Sequence, residues 1–328
     1  MTNYPILSRR ALLALGTGAA MMAAVPAFAN GWPDGAVQLV VPARSGGGTD
    51  AAARIIAAAL QKKLGQPFVV VNNPGGGGVV AAETVRTAAP DGQTLLFFHS
   101  GILAMHHTGA LEANPLKDFT TAAALAVGST YALAVAADSP WKNVADLVAA
   151  AKEKPNSISL GIQTGGTTHF MAGLLMMDSG AEFRVVDAGG DADKLVQLQG
   201  HQIDAALINT AGTLQYVQSG ALRILGTIGG EPARDPSTPD VPSIAEHGYE
   251  NVLYGLDFLI MGPVGMDADK TQAIYDAFAS IMAEPDIKTQ LETMHMPLSI
   301  VPADQTRSRL EAADTRVATT AKLLGLTN

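Results

Sequence analysis

The chain has no cysteine among its 328 residues. Disulfides, thiolate metal sites, cysteine nucleophiles and lipid attachment through Cys are therefore excluded. Aromatic residues are also scarce, at 5%, and charged residues make up only 16%. Basic side chains are in deficit, with 21 Lys plus Arg against 30 Asp plus Glu and a formal charge of −9. A binder of nucleic acid or of an anionic membrane needs a basic surface, so neither is expected as a partner. Past residue 25 no stretch is apolar and long enough to span a bilayer. Several catalytic signatures are missing as well. No Gly-Lys pair supplies a phosphate-cradling P-loop, no G-x-S-x-G supplies a nucleophile elbow, and no H-x-x-x-H pair supplies a helical metal site. No cofactor, catalytic residue or metal site is expected.

What is present points to a folded α/β protein. Hydrophobic residues reach 48%, which argues against disorder, and 34 glycines suit tight turns and closely packed elements.

The first 29 residues read as an export signal. Ser8-Arg9-Arg10-Ala11-Leu12-Leu13 resembles a twin-arginine pattern, and a short apolar stretch runs on from it to Val25. Ala27-Phe28-Ala29 then offers the small residues that a signal peptidase reads. Cleavage after Ala29 is expected to leave a periplasmic protein without a membrane anchor, through either the twin-arginine or the general route. The alternative is a buried amphipathic first helix.

After the signal, strand and helix patterns alternate. Apolar runs at 37–41, 68–71 and 94–98 read as strands, with helical patterns at 52–60 and 79–88 between them. The alternation restarts with strands at 131–136, 158–161, 183–186, 203–208 and 222–226, separated by helices at 143–152, 167–179, 191–199 and 211–218. A connection at 231–242 carries four prolines and reads as surface. A long apolar strand at 253–261 and a helix at 268–283 follow. The last helix shows a stripe of Leu310, Val317 and Leu324, with Ala313 and Ala321 between, that should pack on a core. Such alternation predicts mainly parallel sheets with helices on their faces.

Two glycine loops, Gly46-Gly47-Gly48 and Gly76-Gly77-Gly78, each satisfy G-x-G-x-x-A between a strand and a helix. A dinucleotide site would also need an acid about 20 residues on for the ribose. No Asp or Glu lies between Asp50 and Glu83, and Asn72-Asn73 occupies the place of that acid. Dinucleotide binding is therefore set aside. His106-His107 reads as a solvated loop, because neighbouring side chains point apart on either regular element. Three Gly/Ser/Thr-rich loops remain where strands feed helices: 44–50, Ser100-Gly101 and 163–169. The unpaired amides of helix starts favour carboxylate or phosphate and require no catalytic group. The alternative is that glycine merely makes the turns.

The run VQLVVPARSGGGTD at 37–50 is similar to the start of mature tripartite tricarboxylate transporter substrate-binding proteins, the Bug family. Further matches follow in order: LGQPFVVVNNPG at 64–75, APDGQTLL at 89–96, Lys117-Asp118-Phe119, Gly165-x-Thr167-x-His169, Gly200-x-Gln202-x-Asp204, and PDVPSI-x-E at 239–246. The resemblance implies a two-lobed, type II-like periplasmic binding protein that captures a small organic anion, a carboxylate or dicarboxylate, for delivery to membrane transporter subunits. It assigns 30–130 plus 250–328 to one lobe and 131–249 to the other. Ala43, Arg44, Ser45, Gly46, Gly47 and Asp50 would face one end of the solute, with His99 and Ser100 beside them. Thr164, Gly165, Thr167 and His169 would hold the other end, and Gly189, Gly190, Asn209 and Thr210 would line the cleft. A monomer is expected. Three departures from the family pattern bear on the solute: Ala43 where Phe is usual, Arg44 as an added charge, and Ala188-Gly189 where Tyr-Lys is common. An exported α/β enzyme and a solute sensor presenting its closed form to a receptor are the alternative functions.

Overall fold

The buried run Val37–Val41 forms strand β1 and stops at Pro42, which has no amide to continue a ladder. Helix α1 (Gly48–Leu64) follows, burying Ala52, Ile56 and Leu60 and ending at Gly65 in the left-handed conformation. The computed structural model describes residues 31–327 apart from 129, 231, 232 and 295, so the proposed signal segment lies outside the described residues. Strand β2 (Phe68–Asn72), helix α2 (Val79–Arg86), strand β3 (Thr94–His99), helix α3 (Gly101–His107) and strand β4 (Phe119–Val127) complete the first run.

The second run comprises β5 (Tyr131–Ala136), α4 (Val144–Glu153), β6 (Ser159–Ile162), α5 (Thr167–Ser179) and β7 (Arg184–Asp187). It continues through α6 (Asp191–Gln199), β8 (Ala205–Asn209), α7 (Thr210–Gln218) and β9 (Leu222–Ile228). The chain then returns through β10 (Asp257–Pro263), α8 (Ala268–Met282), α9 (Pro285–Thr293), β11 (Leu298–Ile300) and α10 (Ala303–Leu323).

Two sheets result, with strand orders β11-β4-β10-β3-β1-β2 and β7-β6-β8-β5-β9. They are mixed, which corrects the expectation of mainly parallel sheets. β1, β2 and β3 are parallel, as are β6, β7 and β8. β10 runs against both β3 and β4, and β5 runs against both β8 and β9. The reason lies in the connections. β5 follows β4 of the other sheet, and β10 follows β9 of the other sheet through the 229–256 connection, so neither reaches its new neighbours by the strand–helix–strand crossover that makes strands parallel. The first sheet thus holds two reversed strands, β10 between β3 and β4 and β11 on the outer side of β4, and the second sheet holds one, β5 between β8 and β9.

The two crossings are tied together. Asp235 is 2% exposed. Its Oδ2 accepts from the Thr130 amide at 2.9 Å and from the Thr130 hydroxyl at 2.8 Å. Its Oδ1 accepts from the amide and hydroxyl of Ser237. The proline-rich connection is therefore anchored inward at this residue and is not wholly surface. Within the second crossing, Gly230 and Gly255 bring the two ends of the 229–256 connection together: a Cβ on Gly255 would lie 2.6 Å from the Gly230 Cα. The Tyr254 amide donates to the Gly229 carbonyl at 2.7 Å beside them.

Helix α10 joins the lobes along one side. Leu310, Val317 and Ala321 are buried, and a Cβ on Gly173 of α5 would collide with Leu324. Arg309 of α10 makes a two-point ion pair with Asp257 at the start of β10, at 2.6 and 2.9 Å. His106 and His107 end helix α3, where a loop was expected; His107 bonds Asp314 of α10 at 2.7 Å. Among the described residues, no group of three acidic, His or Cys side chains could hold a metal ion, and no helix is long and apolar enough to cross a membrane.

Replacing Asp235 by alanine strands the buried Thr130 amide and hydroxyl. An unsatisfied buried donor costs about 1–3 kcal/mol, so Asp235→Ala should lower the unfolding free energy by roughly 2–4 kcal/mol. Denaturant unfolding of the two proteins checks this, and a loss under about 0.5 kcal/mol would show that these bonds do not hold the crossings.

Candidate functional site

The parallel strands of both sheets end at one place. β1 and β3 finish at Val41 and His99, β6 and β8 at Ile162 and Asn209, and the reversed strands β10 and β5 begin there with Asp257 and Tyr131. Ligands of α/β sheets lie at the carboxyl ends of the strands. Between the lobes at this edge is a cleft of about 840 Å³, lined by residues of both.

The second lobe presents a helix start. In the loop before α5, the Gln163 amide donates to the Thr168 hydroxyl at 2.9 Å, and the Gly166 amide to the Gln163 carbonyl at 3.0 Å. The Gly165 amide donates to His169 Nδ1 at 3.2 Å, which makes His169 a buttress of the loop. Asp187 accepts from the Thr164 and Gly189 amides at 3.5 and 3.2 Å, tying the loops before α5 and α6 together. Those backbone bonds hold its carboxyl below the usual range. After these bonds, the Thr167 and Thr168 amides make none within the protein and stand in the cleft wall at the positive end of α5. Two phenols, those of Tyr131 and Tyr254, line the cleft with Thr167. Burial raises both phenols, Tyr254 to about 12, so both remain neutral hydrogen-bonding groups.

Deeper in this wall, Lys194 is 1% exposed. Its ammonium donates to Asp191 Oδ1 at 3.1 Å, to the Leu207 carbonyl at 3.0 Å and to the Thr168 hydroxyl at 3.4 Å. Asp191 Oδ2 also accepts from the Asn209 amide at 3.2 Å. Asp191 keeps 41% of its side chain exposed and lines the cleft.

The first lobe presents a more apolar wall, with Phe98, Phe258, Met294 and Met296 beside Pro42 and Thr49. Phe258 stacks on Phe97 at 4.8 Å between ring centres and meets the His99 ring edge-on at 6.3 Å. His99 Nδ1 accepts from the Gly101 amide at 3.1 Å, which leaves the proton on Nε2. Burial lowers its pKa to about 4, so His99 is a neutral donor at physiological pH.

Of the residues that the sequence singles out, His99, Thr164, Gly165, Thr167 and Asn209 line this cleft. Others hold the walls from behind. Asp50 is buried: it accepts from the Gly46 amide at 2.9 Å, from Asn72 Nδ2 at 2.8 Å and from Arg54 at 2.9 and 3.0 Å. That network, with Asn72 Nδ2 also donating to the Ala43 carbonyl, fixes the 43–47 loop. Arg54 holds the Asp50 carboxyl down at about 2. Arg44, Ser45, Gly46 and Gly47 are exposed, outside the lining, and the Arg44 carbonyl accepts from the Gly47 amide. Ser100 is buried and bonds Asp257 through backbone and hydroxyl. Thr210 is fully buried with its hydroxyl 2.7 Å from that of Thr130. Gly189 and Gly190 donate to Asp187 and Asp193 and lead into Asp191. Tyr131, Asp191, Lys194, Tyr254 and Phe258 escaped the sequence reading. Only the spacing Asp191–Lys194 carried a signal, and i,i+3 pairs ordinarily sit on solvated helix faces.

The family model for the tripartite tricarboxylate transporter family receptor matches residues 52–323. The UPF0065 protein in the gbd 5′ region of Cupriavidus necator is 32% identical over 290 residues, covering 88% of this chain and 87% of its own. A TctC solute-binding protein from Polaromonas superposes with a TM-score of 0.79 at 24% identity, over 89% of this chain and 99% of that one. Rpa4515 of R. palustris, solved with adipate, is 29% identical, with a TM-score of 0.73 over 90% of this chain and 98% of that one. The architecture is thus that of two-lobed periplasmic binding proteins, and this chain belongs to the tripartite tricarboxylate transporter receptor family.

Proposed function

We propose that this protein is an extracytoplasmic solute-binding protein that captures a small carboxylate between its lobes and delivers it to the membrane subunits of a tripartite tricarboxylate-type transporter. The observation that carries this reading is the pair of unbonded amides at Thr167 and Thr168, aimed into a cleft shared by both lobes. Two adjacent N–H groups at a helix start match the two oxygens of a carboxylate, and the helix dipole favours its charge. The hydroxyls of Thr167, Tyr131 and Tyr254 and the Nε2–H of His99 add neutral donors around them. The apolar residues of the first lobe offer a dry surface to a carbon skeleton. Adipate in Rpa4515 is a carboxylate of this kind.

Because the two walls belong to different lobes, ligand contacts are complete only when the lobes are together, and binding shifts the population towards that state. Ala43, Arg44 and Ser45 join the site in this reading only through closure of their exposed loop. The bordering side chains act by position and hydrogen bonding, in keeping with a family of receptors.

Calorimetry against a panel of linear carboxylates tests the reading, with at least one acid expected to bind and to remain chemically unchanged. Thr167→Ala removes a hydroxyl donor from the start of α5 and should weaken binding by about 1–3 kcal/mol. Unaltered affinity would take this helix start out of the site.

The state of His99 predicts an acid effect. Its pKa of about 4 lies below the ordinary 6.5, so on acidification the unfolded chain takes up the proton first. The stability contributed by neutral His99 is complete above about pH 6.5 and is lost as pH falls towards 4. His99→Gln keeps a donor that does not titrate. Between pH 7 and 4.5 its melting temperature should fall less than that of the wild type. Parallel curves would show that His99 is protonated without cost.

A further inference from the structure

We infer that the solute carries a hydrogen-bond donor, a hydroxyl or an ammonium, on the carbon next to the bound carboxylate, and that Asp191 reads it. This inference rests on the carboxylate reading of the cleft. Among the described residues lining the cleft, the titratable side chains are His99, Tyr131, Asp191, Lys194 and Tyr254. Only Asp191 and Lys194 form a charged pair, and the two are not equally available. All three protons of the Lys194 ammonium are engaged, by Asp191, the Leu207 carbonyl and Thr168, and the side chain is 1% exposed. Lys194 therefore has no proton to offer a solute.

Asp191 is the reverse. Each of its oxygens has one bond, to Lys194 or to the Asn209 amide, although a carboxylate accepts about four. Its side chain is 41% exposed towards the cleft. The wall thus offers acceptor capacity and no free cationic side chain. A second carboxylate or a bare methylene placed there would displace water from Asp191 and return nothing. A hydroxyl or ammonium donates and replaces the lost bond.

Position follows from Lys194, whose ammonium bonds both Asp191 Oδ1 at 3.1 Å and the Thr168 hydroxyl at 3.4 Å, so the acid and the helix start that seats the carboxylate share one side of the cleft. A carboxylate on the Thr167 and Thr168 amides brings its neighbouring carbon to that side. Lys194 keeps Asp191 in place and balances its charge, which lets an acidic side chain stand in the wall of an anion site.

The test is calorimetry at pH 7.5 with matched acids that differ only at that carbon: succinate, malate and aspartate; glutarate, 2-hydroxyglutarate and glutamate; adipate and 2-aminoadipate. In at least one series the hydroxy or amino acid should bind at least tenfold more tightly than the unsubstituted acid. The ranking of hydroxyl against ammonium then identifies the donor. In Asp191→Asn that preference should fall to within about twofold, and more steeply for an ammonium. The double variant Asp191→Asn with Lys194→Met removes the cation left unpaired and should show the same loss, should the single variant fold poorly. Unsubstituted acids binding as well as their substituted partners, or a preference that survives both variants, would overturn the inference while leaving carboxylate capture intact. If no acid binds at all, the carboxylate reading fails and this inference falls with it.

Discussion

The rest of the structure depends on a chain that crosses twice between two sheets, with no α-helix among the described residues of either crossing. A strand that arrives this way pairs against its new neighbours, and it does so in both sheets: β5 beside β8 and β9, β10 beside β3 and β4. The crossings also have to pass each other closely. Asp235 gathers four donors from both segments, and within the second crossing the Gly230–Gly255 approach leaves no space for a side chain. A buried carboxylate is costly to desolvate unless its acceptor sites are filled. Here they are filled by groups from two chain segments, which makes the staple specific to this arrangement.

That constraint places the cleft. The reversed strands begin at the edge where the parallel strands end, so backbone from six strands converges on one site. Helix starts come with it, because each parallel strand feeds a helix on the far side of its loop. What the loops then do is consume nearly all of their own amides. Around α5 the Gln163, Thr164, Gly165 and Gly166 amides are all bonded internally. The Thr167 and Thr168 amides stand unbonded because the loop is otherwise satisfied, and a rigid frame aims them.

Much of this could be read in the residues. The apolar runs at 37–41, 94–98 and 131–136 lack charge and sit between turn residues, and the helix at 167–179 starts after a glycine pair. The order of family-like segments pointed to two lobes. What stayed hidden depends on partners distant in sequence. β4, FTTAAALAV, is rich in small residues and takes its identity from β10 and β11 on its two sides. The family resemblance assigns Asp50 to the ligand, yet Arg54 and Asn72 claim it. Asn72 carries no local sign of this role, since its partner Asp50 lies 22 residues away. Tyr254 falls in the run 253–261 that reads as one strand, but β10 begins only at Asp257, and nothing local brings Tyr254 to the cleft that Tyr131 also lines.

In the proposed reading, the second lobe's wall holds an anion without a cation of its own that reaches it. A free lysine or arginine would bind any acid strongly and discriminate poorly, since its field is long-ranged and undirected. Amides, hydroxyls and a neutral imidazole act only over hydrogen-bond distance and in fixed directions. Selectivity then rests on the match between donors and acceptors on each side, where one unpaired group costs more than one added bond gains. The buried Lys194 fits this scheme because its charge is spent inside the wall. It steadies Asp191 and the Thr168 hydroxyl, and through Thr168 the loop whose amides face the cleft. Charge is thereby converted into geometry.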